Sequence, residues 1–394
     1  MDMGKPVRVL HVLGGLSLGG AESRIMDLYR CMDREKVQFD FLVHQKTDGR
    51  RKGGAVRRIP EYYDAEIKAL GGKVYVLPKF KGYNYLTYKK AARDFFHRHR
   101  EFAVVQGHMT STASIYLPEA KRAGIPVLCA HARSAGVDRG VKGLMTRLLR
   151  LPLWKRADYC FACSKEAGES VFGRNWNRSS KAYLIPNAID AEKFRYDEAV
   201  RNRLRRKLGL QDCYVIGHVG RFHYAKNHEF LLEIFACLCR RMSAKGKRCV
   251  LMLLGEGSGM AQAKVQAKAL GIAGDVMFMG NRKNVEKFYQ IFDFFLFPSR
   301  FEGLPGTVVE AQAAGLRCLV SNRITFEVGV SGLVDFKDID EPAGLWAECV
   351  ENHLEAGYQR EDMSRVIRDA GFDVKEQAAR LERFYLTGKM AQER

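Results

Sequence analysis

Hydrophobic and polar positions alternate along this chain in a repeating order: a short apolar run, a glycine-bearing turn, then an amphipathic stretch. Val7–Leu13 (VRVLHVL) has the pattern of a buried strand, GGLSLGG follows as a turn, and AESRIMDLYRCM sets Ile25, Leu28 and Tyr29 on one side of a helix. QFDFLVH, KVYVLP, AVVQGH and IPVLCAH repeat the strand pattern, with a helix expected over residues 112–123. Further on, CYVIGHV, RCVLMLL, DVMFMG, DFFLF and LRCLVS continue it, and residues 341 to the end are helical in pattern. Strands that alternate with helices argue for doubly wound parallel sheets in an α/β protein.

With 394 residues, the chain exceeds what one hydrophobic core usually organises, so two domains are expected. The boundary falls near residue 190, giving a first domain over 1–190, a second over 191–370 and a terminal helical segment over 371–394 that crosses back to the first. The opening apolar run is too short for a secretory signal, and no window approaches the roughly 18–20 apolar residues of a membrane span. A cytoplasmic protein is expected, peripheral on the inner face of the plasma membrane.

Charge changes that picture by being uneven. Residues 1–190 hold 34 Lys+Arg against 18 Asp+Glu, whereas the remainder holds 31 against 27. The first half therefore suits a polyanion or an anionic bilayer. Arg50, Arg51, Lys52, Arg57 and Arg58 cluster around glycines in what reads as a surface loop. In VKGLMTRLLRLPLWKRADY, Lys142, Arg147, Arg150, Lys155 and Arg156 interleave with Leu144, Leu148, Leu151 and Trp154. This second segment reads equally as an interfacial helix or as a core-facing helix with a solvated charged side. The single C-x-x-C, Cys160 to Cys163, lies in an apolar strand pattern that sends its thiols to opposite faces, so core thiols are expected and no metal site.

Candidate chemistry collects on loops after strands. Glu302 follows the run IFDFFLFPS, and Glu310 lies about one turn into the helix expected over 308–314, so both carboxylates can face one cleft. Gly303, Gly306 and Thr307 offer backbone N–H groups at the start of that helix, an arrangement that suits a phosphate. Taken singly, Glu302 reads first as a solvated loop charge and Glu310 as a stabiliser of the helix start, and only their shared context points to a site. Arg221 and Lys226 stand just beyond CYVIGHV, where a bidentate guanidinium and a flexible ammonium suit a pyrophosphate. His131 ends the IPVLCAH run, and Arg133 follows it. GEGSG after RCVLMLL does not complete a dinucleotide fingerprint.

Together these motifs resemble the family 4 glycosyltransferases over nearly the whole length. FEGLPGTVVEAQAAG resembles the family's E-x7-E element, and GRFHYAKNH its G-R…K signature. YLIPNAID resembles the segment that opens its interdomain linker, with Ala188 in place of the usual glycine. DVMFMGNRKNV resembles its base-reading segment, with Asn284 where Asp is usual, and GGLSLGG resembles its amino-terminal glycine loop. FEGLPGTVVEAQAAGLRCLVSNRITFEV is especially similar to exopolysaccharide-assembly members, with Gly306 where an aliphatic residue is commoner.

The resemblance implies a GT-B fold, two facing Rossmann-like domains with an interdomain cleft, the first binding acceptor and the second nucleotide sugar. It implies retaining transfer of a hexose or N-acetylhexosamine from a nucleotide-diphosphate sugar, expected to be a UDP-sugar, without a metal or other cofactor. Glu302 and His131 become the catalytic pair. Arg221, Lys226, Gly19, Gly20, Gly306 and Thr307 become the donor diphosphate site, and Glu310 and Arg282 the nucleoside site. The acceptor is expected to be a glycan or lipid-linked sugar in cell-surface polysaccharide synthesis. The rival readings are a nucleotide-sugar epimerase on the same fold, which needs a further carboxylate base, and a basic nucleic-acid-binding protein, for which no signature is present.

Overall fold

The computed structural model describes residues 5–44, 58–136 and 140–391. The chain packs as two compact units, Met1–Pro186 with Val374–Arg394, and Asn187–Asp373. Sequence reading placed the switch a few residues later, near 190.

In the first unit, β1 (Val7–Leu13), β2 (Val37–His44), β3 (Val74–Leu77), β4 (Phe102–Gly107), β5 (Val127–Ala132), β6 (Tyr159–Ala162) and β7 (Ala182–Leu184) form one parallel sheet in the order β3-β2-β1-β4-β5-β6-β7. Helices cover both faces of such a sheet, which is why β2 is buried along its whole length while β3 and β7, at the edges, are short and partly exposed. In the Gly20–Cys31 helix the buried side is Ile25, Met26, Leu28 and Tyr29, the side that the hydrophobic spacing marks. Cys160 and Cys163 are both buried, and burial pushes the Cys160 thiol up to about 12.

The Val374–Thr387 helix belongs to this first unit and is tied to it by side chains from several elements. Tyr385 donates its hydroxyl to Gln106 Oε1 at 2.6 Å, Gln377 Nε2 donates to the Pro186 carbonyl at 2.8 Å, and Glu382 accepts from the Asp33 N–H at 3.1 Å.

The second unit repeats the design. β8 (Cys213–Val219), β9 (Arg248–Leu254), β10 (Val276–Gly280), β11 (Phe294–Phe297), β12 (Cys318–Ser321) and β13 (Val334–Lys337) run parallel in the order β10-β9-β8-β11-β12-β13. Ile216, Leu251, Phe294 and Leu296 from the sheet pack with Leu231, Phe235 and Trp346 from the covering helices. The order of strands reverses between β8 and β11, as it does between β1 and β4. Ligands of doubly wound sheets bind at the carboxyl ends of strands beside such a reversal.

Candidate active site

In the second unit, the two strands beside the reversal carry the expected residues. Arg221 and Lys226 follow β8, and Glu302 follows β11. Lys226 Nζ lies 2.7 Å from Glu302 Oε1. The ammonium also sits 4.4 Å above the Phe297 ring. Arg300 joins the two loops: its N–H donates to the Ala225 carbonyl at 2.7 Å, its guanidinium donates to the Tyr224 carbonyl at 2.9 Å and stacks on the Tyr224 ring at 4.4 Å. Arg221 is exposed.

The Gly306–Ala313 helix begins at Pro305 with no side-chain cap, so its first N–H groups are available to a ligand. Thr307 Oγ1 in its first turn is buried and unpartnered. Buried polar atoms without partners recur on and beside these loops: His218 Nε2 in β8, Asn227 Oδ1, His228 Nε2 at the start of the next helix, Ser299 Oγ and Thr307 Oγ1. Leaving a buried polar group unpaired costs about 1–3 kcal/mol, so a cluster of them marks a place where a polar ligand supplies the missing bonds. His218, Asn227 and Ser299 were not singled out from sequence. The signal of His218 and Ser299 is strand-end position, and that of Asn227 is its place before a helix, features that many polar residues share.

Glu310 differs from its expected setting. Its residue is only 3% exposed, and its Oε2 accepts the Tyr289 hydroxyl at 2.8 Å. The carboxylate is thus buried and oriented by Tyr289. Arg282 is exposed and lies 6.0 Å from the Phe288 ring centroid.

Two long-range contacts shape the loops. Asn187 Nδ2 donates to the Leu304 carbonyl at 2.7 Å, so the linker asparagine holds the Glu302-bearing loop. Gly255 has φ of +131°, and a Cβ there would strike the Gly220 carbonyl. Phe222 N–H donates to the Glu256 carbonyl at 3.0 Å. The GEGSG stretch is thus the backing that presents Arg221, a close backbone approach open only to glycine.

In the first unit, His131 is the main correction. It was expected to open towards a sugar, yet it is fully buried within β5, and its Nδ1 lies 3.0 Å from Gln106 Nε2. Its Nε2 has no partner. Nearby, Arg133 Nε donates to His108 Nδ1 at 3.0 Å, and His108 Nε2 lies 3.0 Å from His11 Nδ1. A guanidinium only donates, so His108 Nδ1 accepts and its Nε2–H donates to His11. Burial, reinforced by the Arg133 charge, pushes His11 down to about 3 and holds His108 and His131 well below the usual imidazole range. All three rings are neutral.

Gly19 precedes the Gly20–Cys31 helix without a side-chain cap, but the Glu22 carboxylate occupies the space where a Gly19 Cβ would stand. An anionic diphosphate meets like charge at Gly19, while the space beside Gly20 is open.

Arg50, Arg51, Lys52 and Arg57 lie outside the described residues, as does the Lys142 side chain. Arg58 is not a free surface charge: it pairs with Asp64 at 2.5 Å and Glu61 at 3.2 Å. Among the described residues, no group of three or more His, Cys, Asp or Glu is placed to hold a metal, and no helix is long and apolar enough to cross a membrane.

A doubly wound sheet with a lysine–carboxylate pair and unsatisfied polar atoms at its reversal point is the setting of a protein that takes an anionic, hydroxyl-rich ligand. Comparison with known proteins agrees. The family described as Glycosyltransferase Family 4 matches residues 18–193, and that described as Glycosyl transferases group 1 matches residues 200–331. The chain is 34% identical to the putative glycosyltransferase EpsF of Bacillus subtilis over 96% of each chain. It is 24% identical to the UDP-Gal:alpha-D-GlcNAc-diphosphoundecaprenol alpha-1,3-galactosyltransferase of Escherichia coli, over 56% of this chain and 58% of that one. The crystal structure of Anabaena HepE in complex with UDP-glucose superposes with a TM-score of 0.72 at 16% identity, covering 97% of this chain and all of that one (100%). The chain belongs to the family 4 glycosyltransferases, and its two units are those of the GT-B fold.

Proposed function

We propose that this glycosyltransferase moves a hexose or N-acetylhexosamine from a UDP-sugar to a glycan or lipid-linked acceptor in cell-surface polysaccharide synthesis, with retention at the anomeric carbon. The observation that carries the reading is the Lys226–Glu302 pair at 2.7 Å beside the uncapped Gly306–Ala313 helix start. A diphosphate needs cations and N–H donors, and a sugar needs a carboxylate within reach of its hydroxyls. This site holds both on adjoining loops. The E. coli relative, named for a UDP-sugar donor and a diphosphoundecaprenol-linked acceptor, supports the substrate classes.

In this reading, Arg221, Lys226 and the N–H groups of Gly306 and Thr307 stabilise the charge that grows on the departing diphosphate. These groups supply the electrostatic role that a divalent metal plays in other transferases, so no metal is required. Glu302 accepts from the donor sugar's hydroxyls and supports the positive charge at the anomeric carbon, and the acceptor hydroxyl attacks from the face the leaving group vacates, passing its proton to the departing diphosphate oxygen. Glu310, oriented by Tyr289, accepts from the ribose hydroxyls, and Arg282 flanks the base.

The test is nucleotide release from UDP-glucose, UDP-galactose, UDP-N-acetylglucosamine and GDP-mannose, with and without a diphosphoundecaprenol-linked sugar and with EDTA present. One UDP-sugar should be consumed selectively, chelator should not slow it, and the product linkage should retain the donor configuration. Failure of every UDP-sugar to bind, or an inverted product, overturns the reading.

A further inference from the structure

The Val141–Arg150 helix is packed with its polarity reversed. Leu144, Met145, Leu148 and Leu151 are 59%, 42%, 52% and 75% exposed. Arg150 meanwhile reaches inward. Arg150 Nε donates to Thr110 Oγ1 at 2.9 Å, and Arg156, from the following turn, donates to the Ser114 carbonyl. Both partners lie on the Thr110–Arg122 helix, so polar contacts anchor the segment and leave its apolar stripe outward. Leu144, Leu148 and Leu151 recur at i, i+4 and i+7, one face of a helix. Arg147 and Lys155 are exposed beside them.

A second exposed apolar group lies on the same edge of the first unit. Tyr83 is 84% exposed and Leu86 77%, flanked by exposed Lys79, Lys81 and Lys90. These residues follow the carboxyl end of β3, and the reversed helix follows that of β5, in one parallel sheet. The Thr110–Arg122 helix packs against both the Tyr85–Arg98 helix and the Val141–Arg150 helix.

We propose that this edge docks on an anionic lipid bilayer, with the Val141–Arg150 helix lying in the membrane interface and Tyr83 and Leu86 forming a second contact. Charge selects the occupant. A leucine stripe rimmed by basic side chains, on the half of the chain with 34 Lys+Arg against 18 Asp+Glu, matches the headgroup–acyl boundary of an anionic membrane. A patch of this kind left to water would be an aggregation hazard. Two contacts fix orientation as well as adhesion: the carboxyl ends of β3 and β5 turn towards the bilayer, where a lipid-linked acceptor sits. The docking itself does not depend on the donor assignment.

The test is co-sedimentation with vesicles of phosphatidylglycerol and phosphatidylethanolamine, against vesicles of phosphatidylcholine alone, with no nucleotide sugar present. Wild-type protein should bind the anionic vesicles, lose that binding in high salt, and bind phosphatidylcholine weakly. Leu148→Glu with Leu151→Glu, and separately Arg147→Glu with Lys155→Glu, should each lower partition about tenfold or more, because apolar burial and basic charge both contribute. These side chains are exposed, so circular dichroism and melting should be unchanged. Wild-type failure to bind, or variants that bind equally, overturns the proposal. It is also overturned if, without lipid, wild-type protein sediments as a dimer and the leucine variant as a monomer, since the face then covers a second copy of the chain.

Discussion

Lys226 Nζ stands 2.7 Å from Glu302 Oε1, so without ligand the cation proposed for the diphosphate and the carboxylate proposed for the sugar neutralise one another. A bound diphosphate competes with Glu302 for Lys226. Removing the carboxylate charge should therefore separate nucleotide binding from turnover. Glu302→Gln is expected to bind UDP as tightly as the wild type or several-fold tighter, while kcat falls by about 100-fold or more. Lys226→Ala should weaken UDP and lower kcat/KM together. Calorimetric UDP titration beside steady-state kinetics checks both, and weaker UDP binding in Glu302→Gln would falsify the competition.

Tyr289 is the orienting partner of Glu310. Tyr289→Phe removes a buried hydrogen bond to a carboxylate, which should cost about 1.5–3 kcal/mol of stability and raise KM for the donor with a smaller change in kcat. Glu310→Gln should likewise act mainly on KM. A variant whose loss lies wholly in kcat would place Glu310 at the reacting centre instead.

Tyr385 reaches from the terminal helix to Gln106, which contacts His131. If this chain of hydrogen bonds acts as a unit, Tyr385→Phe and His131→Ala should not be additive in stability, and a double-mutant cycle read by urea unfolding should show coupling of about 0.5–3 kcal/mol. Additive losses would mean that Tyr385 serves packing alone.

Six histidines, His11, His44, His108, His131, His218 and His228, are held below the ordinary imidazole range, chiefly by burial. The unfolded chain then binds more protons than the folded chain below the unfolded value near 6.5, so acidification destabilises. Each histidine should cost about 1 kcal/mol by pH 5.5 relative to pH 7, a window above that of the carboxylates. Thermal melts between about pH 7.5 and about pH 5, which bracket the unfolded imidazole value, should show a falling midpoint, and a flat profile would contradict the neutral buried rings.

Gly255→Ala forces a Cβ against the Gly220 carbonyl at a positive φ. It should destabilise the second unit by about 1–3 kcal/mol and weaken nucleotide binding through Arg221, without touching the ligand itself. Urea unfolding and UDP titration report the two effects.

Much of this protein is readable along the chain. The repeat of apolar run, glycine turn and amphipathic stretch determined two parallel sheets, and short motifs set Arg221, Lys226 and Glu302 on loops beyond strands. Both are local properties: strand burial shows in composition, and a loop residue's place follows from the strand before it. Folding alone decided which distant groups meet. Nothing near Asn187 in sequence announces Leu304, and nothing in GEGSG announces the Gly220 carbonyl. The burial of His131 and Glu310 depends on partners supplied by Gln106 and Tyr289. The Val141–Arg150 helix makes the same point, because periodicity showed that one side is apolar, while only the anchoring of Arg150 to Thr110 decided that this side faces out.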